Sequence, residues 1–165
     1  MTVNFLRLTV FIALVINGMS LTKGQNTFTP DFSMSFNEFQ KQATQPKDEI
    51  WVVDFWASWC RPCIELVPEM KVLYNKFKDK KVRFVSVSWD ENGDDWKAAI
   101  EYLKIEWPQV KIPKPNMPQP FIDKNFPHKK MPTLFIVKPD GSVKKTDEGM
   151  LEATLEKLLE KMEKN

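Results

Sequence analysis

Two kinds of hydrophobic spacing alternate along this chain: short continuous apolar runs, and stripes that return every three or four residues. The run Ile50-Trp51-Val52-Val53-Asp54-Phe55-Trp56 is interrupted only by Asp54, which predicts a strand buried on both faces. Val82 to Trp89, rich in β-branched and aromatic residues, predicts a second central strand. Between them Ile64, Val67, Val72, Leu73 and Phe77 fit one helical face from Arg61 to about Lys78, and Pro68 inside that stretch predicts a kink. Strand, helix and strand at this spacing predict a right-handed βαβ unit with parallel strands.

The flanking segments carry weaker but specific signals. Thr27 to Met34 predicts a short edge strand, and Ser35-Phe36-Asn37-Glu38 has the spacing of a capping box opening a short helix to about Ala43. Thr44 to Glu49, polar with Pro46, reads as a surface loop. Asp94 to Leu103 predicts a helix with Trp96, Ile100 and Leu103 on one side. Seven of the 12 prolines fall between Trp107 and Pro132, which predicts a shaped loop with a helical turn around Phe121 to Phe126. Thr133 to Val137 and Ser142 to Lys145, joined by Pro139-Asp140-Gly141, read as a hairpin. Leu151, Leu155, Leu158, Leu159 and Met162 form the stripe of a terminal amphipathic helix.

Composition bounds the class. A chain of 165 residues, 42% hydrophobic and 28% charged, fits one globular domain. Its 24 basic and 22 acidic residues nearly balance, which gives no basis for nucleic-acid binding. Residues 1–20 differ from the rest: Arg7 is their only charge, and Leu8 to Ile16 is apolar apart from Thr9. This reads as a secretory signal cleaved near Ser20-Leu21, an uncleaved anchor being the alternative. Residues 21–26 follow as a leader remnant. Residues 27–165 then form a single domain with a Pro-rich insertion at about 104–127. No cysteine follows the apolar stretch, so a lipoprotein anchor is excluded, and export places the remainder in the periplasm or on the extracytoplasmic side of an envelope.

The two cysteines lie in Trp59-Cys60-Arg61-Pro62-Cys63, between the first strand and its helix. At a helix N-terminus, unpaired N–H groups and the helix dipole favour a thiolate, so Cys60 is the expected nucleophile. Cys63, one turn on, can reach back and resolve a mixed disulfide. A zinc site would need four ligands, and only His128 is available besides the thiols. A structural staple of this length would restrict the unfolded chain little. Redox chemistry is therefore the better reading, with no metal, nucleotide or organic cofactor. Asp54, alone in an apolar strand, is either an edge residue in solvent or a buried carboxylate that takes the proton of Cys63. Arg61 is either a solvated helix-start residue or a charge that stabilises the Cys60 thiolate, and Pro62 stiffens the turn. Trp56 and Trp59 are expected to cover the dithiol and offer apolar surface to a partner, core packing alone being the alternative for Trp56. His128 is expected at the surface without a catalytic part.

Taken together, Val53-Asp54-Phe55-Trp56-Ala57-Ser58-Trp59-Cys60-Arg61-Pro62-Cys63 resembles the active-site segment of the thioredoxin superfamily. Pro68 matches that family's helix-kinking proline, and Met131-Pro132-Thr133 resembles its cis-proline loop. The resemblance implies an α/β thioredoxin fold, a central mixed sheet of a parallel βαβ unit and an antiparallel hairpin flanked by helices. It supports the proton-accepting role of Asp54 and implies that Met131, Pro132 and Thr133 bind an extended substrate segment. With the export signal and the long insertion, the chain is most similar to TlpA-like envelope thiol-disulfide oxidoreductases of bacteria. It departs from them in having a capped helix where many have a Gly-containing hairpin, Leu66 where they have Glu, and Asp54 where many have Asn.

The expected function is reduction of protein disulfides in the envelope through a Cys60/Cys63 dithiol, the protein being expected as a monomer, with cytochrome c maturation and reductive repair as two uses. A membrane thiol-disulfide reductase is the implied electron donor. An oxidase or isomerase would use the same residues, since about 30 mV, or roughly 1.4 kcal/mol, decides direction. A non-catalytic binding module of the same fold is the alternative from another class.

Overall fold

In the computed structural model, which describes residues 28–164, β1 (Ile50–Trp56) occupies the centre of a five-stranded sheet. On one side it pairs in parallel with β2 (Val82–Ser88), which pairs in parallel with β3 (Gln109–Lys111). On the other it pairs antiparallel with β4 (Thr133–Val137), which pairs antiparallel with β5 (Val143–Thr146). All seven residues of β1 are buried, as expected of a strand covered on both faces. The expected signal segment lies outside the described residues. Among the described residues, no helix is long and apolar enough to cross a membrane.

Alternation along β1 sorts the core into two layers. Ile50, Val52 and Trp56 join the buried residues of α2 (Arg61–Phe77), α3 (Gly93–Leu103) and α5 (Glu148–Glu163). Trp51, Val53 and Phe55 join those of α1 (Phe36–Gln42) and α4 (Pro120–Asn125). The α2 residues facing the core are Cys63, Val67, Met70, Leu73 and Phe77, while Val72 is 68% exposed. Met70 replaces Val72 on the expected stripe, because a 3.6-residue period carries position 72 to the outer face. Lys76 of α2 bonds both Glu152 and Glu156 of α5, so part of the terminal helix's polar face is tied to its neighbour.

Local chemistry explains several boundaries. Ser35 and Glu38 close the capping box at α1: the Ser35 N–H donates to Glu38 Oε2 at 2.8 Å and the Glu38 N–H to Ser35 Oγ at 3.2 Å. In the β4–β5 hairpin Gly141 has φ 78°, and a Cβ there would come within 2.8 Å of the Thr44 carbonyl oxygen. Only glycine suits that position.

Two expectations are corrected. Residues 28–34 form no strand; they lie along the sheet edge, where the Gln109 N–H donates to the Asp31 carbonyl at 2.9 Å. The edge they cover is β3, a strand inside the Pro-rich stretch expected to be only loop and turn. Pro108 and Pro113 bracket it, and its bonds to β2 run from the Ser86 N–H to the Pro108 carbonyl and from the Ile112 N–H to the Ser88 carbonyl. The helical turn expected near Phe121 is α4.

Candidate active site

Cys60 is the N-cap of α2, and Pro62 stands in its first turn. Cys63, one turn on, is joined to Cys60 by a disulfide, with Cα atoms 5.3 Å apart. Both are buried. No acidic residue stands in the first turn of α2, so no carboxylate within that turn opposes the partial positive charge of its N-terminus. Arg61 points into solvent, its Nε 2.9 Å from Glu65 Oε1. Its charge is therefore shared with Glu65 and not directed solely at the sulfur.

The loop leading to Cys60 is held by a residue the sequence did not single out. Asp90, buried just past β2, accepts from the Ser58 N–H at 2.9 Å, from Ser58 Oγ at 2.5 Å and from Ser88 Oγ at 2.7 Å. Trp89 N–H donates to the Trp56 carbonyl at 3.0 Å, so the ends of β1 and β2 are joined where the loop begins. Asp90→Ala removes a charged acceptor of three hydrogen bonds and should destabilise the protein by about 2 kcal/mol. Chemical denaturation checks this; an unchanged midpoint would show that the loop holds its shape without the carboxylate.

Asp54 is buried in the central strand, on the same face of β1 as Val52 and Trp56, the residues that pack with Cys60 and Cys63. It is not the solvent-facing edge residue. Its Oδ2 accepts from Ser86 Oγ at 3.1 Å, while Oδ1 has no partner among the described residues. Burial raises the carboxyl from its ordinary 3.8 to about 7, against the opposing pull of the Ser86 hydroxyl.

The remaining expected residues gather at the loop before β4. The Met131–Pro132 peptide is cis. Met131, Pro132 and Thr133 line one cleft together with Pro62 and Leu66 of α2. Thr133 is buried, and its hydroxyl donates to the Lys130 carbonyl at 2.7 Å. Trp59 is 67% exposed beside Cys60, whereas Trp56 is a core residue. His128 is not on the open surface: its ring lies 4.4 Å from that of Phe55, and burial lowers its pKa. Phe55 of β1 and Trp89 just past β2, both distant in sequence, pack on it together with Phe135 of the nearby β4, so its own Pro- and Lys-rich loop gave little sign of them. Among the described residues no group of three or more His, Cys, Asp or Glu is placed to hold a metal ion.

This geometry can be set beside known proteins. The profile of a family described as Thioredoxin-like matches residues 48–143, the stretch from the start of β1 to the hairpin. The chain belongs to this thioredoxin-like family. A thiol-disulfide oxidoreductase ResA of Bacillus thuringiensis subsp. konkukian is 29% identical over 112 residues, covering 68% of this chain and 61% of the relative. The chain thus spans about three fifths of the length of that curated relative. A ResA of Oceanobacillus iheyensis is 28% identical over 134 residues, covering 78% of this chain and 66% of the relative. Among solved structures, the thioredoxin domain of a thiol-disulfide oxidoreductase from Bacteroides vulgatus is 32% identical with a TM-score of 0.59, covering 68% of this chain and 81% of that one. These relatives are named thiol-disulfide oxidoreductases, and this chain carries its CxxC disulfide just past the end of the central strand of a mixed five-stranded sheet.

Proposed function

We propose that this protein exchanges disulfides with protein partners through Cys60 and Cys63, in the reducing direction. The observation that carries the reading is the Cys60–Cys63 pair at the N-terminus of α2, bordered by the Met131–Pro132–Thr133 cleft. In the reduced protein the Cys60 thiolate attacks a substrate disulfide; one substrate sulfur leaves as a thiolate and the other bonds Cys60. Cys63 then attacks Cys60, its proton passing to Asp54, and the second substrate sulfur leaves. The products are a substrate dithiol and the Cys60–Cys63 disulfide, so two electrons have moved outward. Trp59 supplies apolar surface, and Met131 offers backbone groups to an extended substrate segment. Pro62 stiffens the turn, and Arg61 adds positive charge near the helix start. A thiol donor must return two electrons each cycle, and a membrane thiol-disulfide reductase has the required chemistry. The apolar segment Leu8 to Ile16 supports an extracytoplasmic setting for this monomer.

Insulin disulfide reduction with dithiothreitol tests the reaction, and equilibration against thiol buffers tests its direction. A potential near the roughly −270 mV of thioredoxin supports the reductase, and one near roughly −120 mV overturns it in favour of an oxidase. Asp54→Ala should slow resolution of the mixed disulfide by about a hundredfold while leaving the initial attack near wild type. Single-turnover kinetics separate the two steps; if neither changes, Asp54 takes no proton.

A further inference from the structure

Asp54 is the end of a hydrogen-bond chain that reaches across the sheet. Ser86 lies directly opposite it in β2, and Ser86 Oγ donates to Asp54 Oδ2 at 3.1 Å. Behind Ser86, Trp107 Nε1 donates to Ser86 Oγ at 2.7 Å. The Ser86 main chain is fixed from the same segment, its N–H donating to the Pro108 carbonyl at 3.0 Å. Ser86 and Trp107 are each 1% exposed, so bulk water does not compete for these bonds. Trp107 itself is wedged against Tyr74 of α2 and Phe84 of β2, with ring centroids 5.3 and 6.2 Å away.

The direction of the chain follows from the groups in it. An indole N–H can only donate, and a serine hydroxyl has one hydrogen and two lone pairs. With Trp107 occupying a lone pair, the Ser86 hydrogen is left for Asp54. A donor aimed at a carboxyl group favours its ionised form, and a second donor behind the first polarises it further. We propose that Ser86 and Trp107 are positioning residues for the exchange reaction: Trp107 orients the Ser86 hydroxyl as a donor, and that donor keeps Asp54 available as the carboxylate that takes the proton of Cys63. This rests on the proton-accepting part given to Asp54 above and extends it to two residues that never meet substrate.

No charged side chain substitutes for this pair. Arg83 of β2 is engaged with Glu49 at 3.0 Å, and Lys71 of α2 with the Leu103 carbonyl. The Asp54 neighbour on β4 is Leu134, and the next residue there, Thr133, bonds the Lys130 carbonyl. Asp90 beyond β2 is held by Ser58 and Ser88, Cys60 and Cys63 are joined in the disulfide, and Tyr74 of α2, packed on Trp107, has its pKa raised by burial. Burial and the Ser86 hydroxyl are the influences on the carboxyl.

The test follows the Asp54 side-chain carboxyl by carbon-13 NMR through a pH titration of the full oxidised chain, in wild type, Ser86→Ala, Trp107→Phe and the double variant. Ser86→Ala should move the Asp54 midpoint up by about one pH unit, the size expected for one hydrogen bond to a charged group. Trp107→Phe should move it up by less. The double variant should match Ser86→Ala alone, because Trp107 acts only through Ser86. Resolution in Ser86→Ala should be about fivefold slower at pH 7 and recover by pH 9, as a tenfold weaker acid predicts. An unmoved midpoint in Ser86→Ala, or additive shifts in the double variant, would overturn the inference. Because NMR needs no turnover, a protein that fails to exchange disulfides but shows these midpoints rejects the proposed function and keeps the hydrogen-bond chain. Ser86→Ala removes one oxygen and leaves packing intact, so it decides the matter even if Trp107→Phe does not fold.

Discussion

Cys60→Ser should reduce insulin no faster than dithiothreitol alone while remaining folded. The hydroxyl that replaces the thiol does not ionise near neutral pH, so no nucleophile remains at the helix start. The fold should survive because serine is a favoured N-cap, and Cys60 makes no side-chain cap bond that would be lost. The missing disulfide matters little: its sequence separation is 3, and closing so short a loop stabilises by about 2 kcal/mol. Cys63→Ser should behave differently. Attack by Cys60 is preserved, resolution is not, and the mixed disulfide accumulates as a higher band on a non-reducing gel. The order of the two cysteines rests on position: both are buried, but Cys60 is the N-cap, beside exposed Trp59, whereas Cys63 lies inside the helix. If Cys63→Ser abolishes attack while Cys60→Ser forms the trapped species, the roles are exchanged. If Cys60→Ser keeps full activity, the dithiol is not the reaction centre.

What the sequence made legible is what depends on near neighbours. The apolar run of β1, the Ser35–Glu38 capping box, the Pro-Asp-Gly turn and the dithiol at the start of α2 are each written within a few consecutive residues. The stripe of α5 extends over three turns and was equally clear. What escaped depends on register. Asp54 and Ser86 are 32 residues apart, as are Ser58 and Asp90, and they meet only because β1 and β2 pair in one alignment. A shift of one residue would turn Ser86 to the other face. Strand β3 escaped because its brackets are prolines, which locally signal loop, and its partner β2 lies far upstream. His128 carried the polar signature of its own loop, while the rings that half-bury it come from β1, β4 and Trp89 just past β2. The strand expected at 27–34 shows the opposite error: local alternation was present, but the described residues 28–34 form no strand and meet β3 through the Asp31 carbonyl.

Asp54→Asn should remove a loss of stability of up to about 4 kcal/mol that the oxidised wild type suffers between pH 4 and pH 8. The carboxyl sits at about 7 in the folded chain against an ordinary 3.8, so between those values the folded state holds a proton that the unfolded chain has released. Stability from this group is therefore fully present below about pH 4 and is lost as pH rises through 7. The difference of about three pH units corresponds to about 4 kcal/mol, charged against the folded protein above pH 7. Asparagine has nearly the same shape, can still accept from Ser86 and never ionises. Its amide must find partners in the same closed site, which costs about 1–3 kcal/mol at every pH and lowers the whole curve without changing its slope. The slope is therefore the diagnostic: urea midpoints of the wild type should fall between about pH 4 and 7 while those of Asp54→Asn stay level. Parallel curves would mean that Asp54 ionises freely in the folded protein, and a carboxylate that does so would be too weak a base to take the proton of Cys63 at neutral pH.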